Sequence, residues 1–153
     1  MNSVCQNCKN KNCFIINYFN SKQIKLINNL KKTIVLKKND FVYKKGMVPK
    51  GVYILYDGCV EIINKNKSGD KNEIYFTEPG ELFGYRSLLT EERHNTSAKV
   101  YKNSRICTLT KEDFFELFNK DKKLGLRFMK FLSAQLNKRE KKLERLMVTS
   151  KGI

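Results

Sequence analysis

The stretch Gly51-Val52-Tyr53-Ile54-Leu55-Tyr56-Asp57-Gly58-Cys59-Val60-Glu61-Ile62-Ile63-Asn64 decides the fold class. Two β-branched and aromatic runs flank Asp57-Gly58, a dipeptide that tolerates the positive φ of a tight two-residue turn, so the pattern predicts a β-hairpin with strands Gly51-Tyr56 and Cys59-Asn64. Outward from this hairpin the same grammar repeats. Thr33-Leu36, Phe41-Tyr43, Lys71-Phe76, Leu82-Phe83, Ser97-Tyr101 and Ser104-Leu109 are further short strands, with reversals at Lys67-Ser68-Gly69-Asp70 and Glu78-Pro79-Gly80. Eight short strands with regular turn signals imply an antiparallel sandwich or barrel, and no gap is long enough for the crossover helices of a parallel sheet.

Helical periodicity brackets the strands. From about Asn17 to Lys31, Ile24, Ile27 and Leu30 recur on one face while Lys22, Lys25 and Asn28 fall on the other, and Ser21 is a candidate cap. Thr110-Lys111-Glu112-Asp113 has capping-box spacing and opens a short helix ending near Asn119. From Lys122 a second helix carries Leu124, Phe128, Phe131, Leu132, Leu136, Leu143, Leu146 and Met147 at spacings of three, four and seven, with Arg139 interrupting the stripe. That stripe persists for about 25 residues, roughly 37 Å at helical rise. A helix of this length projects past so small a barrel, and its outer stripe needs a second surface, which a partner copy supplies most simply. Packing of the whole stripe on its own barrel is the alternative.

The chain has 153 residues, 41% of them apolar and 17 aromatic, enough for one domain with a core. The apolar runs, Phe14-Ile15-Ile16 and Val52 to Tyr56 among them, fall far short of the ~20 residues that cross a bilayer, and no secretory leader pattern opens the chain. A cytoplasmic protein with no membrane partner is the reading. The formal charge is 31 − 15 = +16, but 25 of the cations are Lys and only six Arg, beside 16 Asn, a bias that AT-rich coding produces by itself. A solvated lysine surface and a polyanion-binding face both remain open. Five cysteines, three within the first 13 residues, fit reduced thiols better than a disulfide framework. With one histidine, His94, and no nucleophile-base set or phosphate-cradling loop, the chain does not read as an enzyme.

Phe41-Val42-Tyr43-Lys44-Lys45-Gly46 followed by Gly51 to Val60, then Pro79-Gly80-Glu81-Leu82-Phe83-Gly84, then Ser97-Ala98 and Ser104-Arg105-Ile106-Cys107-Thr108-Leu109 with the projecting helix behind them, resembles the Crp/Fnr family of transcription regulators. The resemblance covers residues 5 to about 150. It implies a mainly β protein with flanking α-helices: an antiparallel jelly-roll barrel of the cyclic-nucleotide-binding, cupin-type architecture followed by a long C-terminal helix. Cupin enzymes share that architecture but need several metal-binding histidines that this chain lacks.

The implied organisation is a cysteine-bearing segment (1–16), a sensor barrel with short flanking helices (17–121) and a dimerisation helix (122–150) whose interface includes Phe128, Leu132, Leu136, Leu143 and Leu146. A helix-turn-helix DNA-binding domain is not among these residues, so the expected function is the sensor and dimerisation part of a regulator. Partners are then a second copy, DNA through a further domain, and RNA polymerase in the intact regulator. A stand-alone ligand- or metal-binding barrel acting through a protein partner is the other reading.

In family members that bind cyclic AMP, a Gly-Glu-Leu turn holds the ribose and an Arg-Ser/Thr-Ala segment grips the cyclic phosphate. The matching positions here are Gly84-Tyr85-Arg86 and Thr96-Ser97-Ala98, a degenerate pocket lacking both carboxylate and guanidinium, and cyclic AMP is not expected to bind. The oxygen-sensing members instead carry an N-terminal cysteine cluster and a fourth cysteine on a late strand. Cys5, Cys8 and Cys13 form a C-x2-C-x4-C run, its second gap one residue shorter than in the best-known oxygen sensors, and Cys107 occupies the fourth position. A [4Fe-4S] cluster on these four, a zinc site drawing on His94, and a metal-free core in which Cys107 is a small buried hydrophobe all remain open. Cys59 is assigned no role.

Overall fold

The computed structural model describes the backbone of residues 5, 8, 10–65, 68 and 71–152, and the side chains of these except 65 and 71–74. Two helices, α1 (Phe14–Tyr18) and α2 (Ser21–Leu30), precede the strands β1 (Lys32–Leu36), β2 (Phe41–Tyr43), β3 (Gly51–Lys65), β4 (Lys71–Thr77) and β5 (Leu82–Phe83). A short α3 (Tyr85–Thr90), β6 (Ser97–Thr110), α4 (Lys111–Lys120) and α5 (Lys122–Lys151) follow. Every strand pairing is antiparallel. The sheet order is β1-β6-β3-β4, with β2 on β6 and β5 on β3.

The expected hairpin at Asp57-Gly58 is not formed. The chain runs straight through it, so Gly51-Tyr56 and Cys59-Asn64 are halves of one strand, as are Ser97-Tyr101 and Ser104-Leu109, and the eight expected strands are six. The register between β3 and β6 slips between Leu55 and Val60, which marks a bulge. Gly58 has φ +97°, and a Cβ there would lie 2.2 Å from Ser104 Oγ, so the glycine is required by both conformation and space. Asp-Gly thus signals the positive φ correctly, but the bend it makes is within a strand. The Arg105 guanidinium pairs with the Asp57 carboxylate across the bulge and holds that carboxyl below its ordinary range.

The bulge region lets each long strand serve two neighbours besides the other long strand. The first half of β3 holds β5 and its second half holds β4, while β6 meets β2 at one end and β1 at the other. One core cluster fills the barrel with Tyr43, Tyr53, Leu55, Val60, Ile62, Phe83, Ala98, Val100 and Ile106. The second lies beneath the helices and joins Val52, Ile54 and Leu109 to side chains of all five.

Three helical expectations are corrected. The predicted 17–31 helix is two helices, because the chain is extended at Phe19 and Asn20. Asn20, not Ser21, caps α2, accepting from Gln23 N at 2.9 Å while Gln23 Oε1 accepts from Asn20 N. Phe128, expected at a dimer interface, is 5% exposed and belongs to its own chain's core. The Thr110 cap forms as expected, with Thr110 Oγ1 accepting from Asp113 N. The predicted reversal at Lys67-Ser68-Gly69-Asp70 falls mostly outside the described residues, although β3 and β4 do pair antiparallel on either side of it.

Candidate functional site

Around the root of α5, the helices α1, α3 and α4 contribute aromatic rings. Cys5 is held by its N–H donating to Asn28 Oδ1 of α2 at 3.0 Å, and Phe14 by its N–H donating to the Gly80 carbonyl at 2.9 Å. Gly80 has φ +97°, and a Cβ there would press within 2.6 Å of the Asn12 carbonyl, so the Pro79-Gly80 turn is shaped to receive this segment. Cys13 then takes the N-cap position of α1, and Cys107 sits on β6 opposite Thr33 of β1 and Ile54 of β3.

Cys5, Cys13 and Cys107 are buried, Cys8 is half-buried, and none of the four is in a disulfide. Burial pushes the Cys5 thiol up to about 12; the Lys31 ammonium opposes this, and Cys13, Cys107 and Cys8 add to it. Cys13 is likewise raised, chiefly by burial, against hydrogen bonds from the Ile15 and Ile16 amides, with Cys8 and Cys107 raising it further. The predicted four thus share one electrostatic neighbourhood. Among the described residues no three His, Cys, Asp or Glu side chains stand as a ready site for a single metal ion. Thiolates around one zinc would lie about 3.8 Å apart, given Zn–S bonds near 2.3 Å. A cubane cluster is a larger body that takes its cysteines at wider separation, and four thiols are the donor set it uses. The residues fit it in kind.

His94 is not with them. Its ring stacks on Tyr43 at 3.8 Å, and its backbone is tied to Gly46 and Met47. Cys59 lies at the β3 bulge, its N–H donating to Ser104 Oγ.

The residues expected to form a degenerate nucleotide pocket are engaged in other contacts. Gly84 begins α3, pressed against the Tyr53 ring. Tyr85, at the position where a nucleotide-binding turn has its carboxylate, is 8% exposed and packs on Phe131 at 5.5 Å and Phe128 at 6.3 Å. Arg86 is exposed, and its charge acts on Tyr43, Tyr75 and Tyr85. Thr96 hydrogen-bonds the Tyr43 hydroxyl, and Ser97 Oγ accepts from Lys45 N at 2.9 Å. Glu81 does not substitute for the missing carboxylate, because its Oε2 folds back onto Glu78 N.

α3 and the aromatic cluster of Phe14, Tyr18, Phe114, Phe118, Phe128 and Phe131 were not anticipated as parts of the site. The phenylalanines themselves were visible in the sequence, but their convergence depends on tertiary packing. Along α5, Leu124, Phe128 and Phe131 are buried and Leu132 packs against the core, whereas Leu136, Leu143, Leu146 and Met147 are 58–64% exposed.

An antiparallel barrel of this topology, followed by a long C-terminal helix, defines the class built on the jelly-roll cyclic-nucleotide fold. The family model described as "Cyclic nucleotide-binding domain" matches residues 33–121, and the chain belongs to that family. The "Anaerobic regulatory protein" of Bacillus subtilis is 25% identical over 117 residues, covering 76% of this chain and 49% of that protein. This chain therefore spans about half that relative's length. The crystal structure of Thermus thermophilus Catabolite Activator Protein superposes with a TM-score of 0.72 at 20% identity, over 84% of this chain and 60% of that one. The sensor domain of the transcriptional regulator DNR from Pseudomonas aeruginosa gives 0.68 at 17% identity, over 82% and 84%. The Crp/Fnr resemblance read from the sequence is borne out, and so is the jelly-roll fold. Among the described residues no helix is long and apolar enough to cross a membrane.

Proposed function

We propose that this chain is the sensor and dimerisation portion of a Crp/Fnr-like transcription regulator whose input is redox state or oxygen rather than cyclic AMP. The observation that carries the reading is that Cys8, Cys13 and Cys107 all act electrostatically on the buried Cys5 thiol, with Cys13 at the head of the helix that packs on α5. Similarity to a protein named as an anaerobic regulator agrees with it. A [4Fe-4S] cluster on these four thiols would supply oxygen-labile redox chemistry.

The chain's own residues relay a change at the thiols. Cys13 stands directly before α1, whose Phe14 ring meets Phe131 at 4.5 Å and Phe128 at 6.0 Å on α5. Movement of Cys13 therefore shifts the packing that sets the direction of α5. The exposed seam of Leu136, Leu143 and Leu146 pairs with the same seam of a second copy, so the barrel's state biases the dimer arrangement. In the intact regulator a helix-turn-helix domain after α5 reads DNA, and RNA polymerase is a further partner. Tyr85 and Thr96 leave the nucleotide pocket without the charged pair that cyclic AMP needs.

Anaerobic purification followed by iron and sulfide analysis tests the reading. The expected result is both elements in equal amount with a broad visible absorbance that air bleaches, lost in Cys107→Ser and retained in Cys59→Ser. Protein that carries zinc or no metal, or that binds cyclic AMP at micromolar concentration, overturns it.

A further inference from the structure

We propose that the outer face of β2, β6, β3 and β4 is a stacking platform for single-stranded nucleic acid. The register places Phe41 of β2 opposite Lys99 of β6, Lys99 opposite Glu61 of β3, and Glu61 opposite Phe76 of β4. Directly opposed residues share a face, so these four form one row across four strands. Their neighbours Ala98, Val100, Val60 and Ile62 are 0–2% exposed and fill the barrel, which puts the row on the outside.

On that outer face Phe76 is 50% exposed, Tyr101 46% and Phe41 40%. Phe76 and Tyr101 meet edge to face at 5.1 Å. Lysines attend the rings: Lys44 Nζ lies 4.9 Å and Lys99 Nζ 5.8 Å from the Phe41 centroid, and Lys38 Nζ lies 5.9 Å from that of Tyr101. Lys102 is exposed beside Tyr101. Glu61, the one carboxylate in the row, is only 9% exposed and is engaged by its surroundings.

Three half-exposed rings on the outer face of the barrel are costly to leave bare, and the ammonium groups around them suit an anionic partner that also carries planar apolar faces. Bases offer planar faces to the rings while phosphates meet the lysines, as on other four-stranded sheets that stack two or three bases. Phe41 and Phe76 are three strand spacings apart, about 14 Å, which spans a short run of splayed nucleotides. A duplex keeps its bases stacked inside and offers the rings nothing. The formal charge of +16 adds long-range attraction for a polyanion. The platform shares no residue with the thiol set or with α5, so it stands or falls separately from the sensor reading.

The decisive variant is Phe76→Lys with Tyr101→Lys, which removes the rings while adding positive charge at exposed positions. Anisotropy of labelled oligouridylate and oligothymidylate of about ten nucleotides is the readout. The intact chain is expected to bind both more tightly than a duplex of equal length, and the double variant to bind at least about tenfold more weakly. Photocrosslinking of a bromouracil oligonucleotide to the unaltered protein is expected to label Tyr101 or Phe76. Should the double variant fail to fold, judged by circular dichroism, Tyr101→Lys alone and the crosslink map give the answer. Equal or tighter binding by a folded lysine variant, crosslinks confined to other faces, or ring-dependent binding only to anionic phospholipid vesicles overturns the proposal.

Discussion

Cys5 is held as a neutral thiol by its surroundings, and that has a measurable consequence at alkaline pH. Its ordinary value of 9.0 describes the unfolded chain, and burial raises it to about 12 in the fold. Below 9 both states keep the proton, so the group's contribution is intact. Between 9 and 12 the unfolded chain ionises first, so stability falls as pH rises through this window. One thiol contributes a loss of roughly 1 kcal/mol for each pH unit above 9. Urea unfolding of the metal-free protein is expected to show this slope, reduced in Cys5→Ala; identical slopes in the two proteins would mean that Cys5 is solvated. The four cysteines were legible from spacing and resemblance, but their burial was not, because the polar residues between Cys5 and Cys13 give no periodic pattern. Tyr85 was legible as a missing carboxylate. Its second role, as a core residue wedged against Phe128 and Phe131, depends on α5 folding back over α3 and leaves no local trace.

Among the elements, α5 changes character along its length. Its first three turns are rooted by Leu124, Phe128 and Phe131, while Leu136 and Leu143, both 59% exposed, carry the same stripe into solvent. Heptad spacing announced the stripe from sequence, but it could not show where the barrel's cover ends, which is why Phe128 was expected at the wrong surface. The β3 bulge teaches a related lesson: Asp57-Gly58 specifies a backbone conformation, and the continuous partner strand β6 decides whether it becomes a turn or a bend. Leu136→Lys with Leu143→Lys is expected to yield monomers by sedimentation, each losing less than about 1 kcal/mol of stability because neither side chain is buried within its own chain. A dimer that persists would place the interface on another face.

At the scale of the molecule, the globule and the projecting rod should be separable at a definable residue. All of the large side chains that α5 buries precede Ser133, and every residue from Asn137 to Lys151 is exposed. Over its 30 residues α5 is about 45 Å long, so more than half of it contributes nothing to the chain's own core. A chain ending at Ser133 is therefore expected to unfold cooperatively with a Tm within a few degrees of the full chain's monomer, and to sediment as a monomer. A chain ending at Asp121 loses Leu124, Phe128 and Phe131, and takes from the rings of Phe14, Phe114 and Phe118 their aromatic partners on α5. Removing one large core side chain costs about 2–5 kcal/mol, and removing three together exceeds the margin of a small domain. That shorter chain is expected to show no cooperative melt and to bind hydrophobic dye. If it melts like the longer one, the barrel does not depend on α5, and the Cys13-Phe14-Phe131 relay has no mechanical hold on the helix.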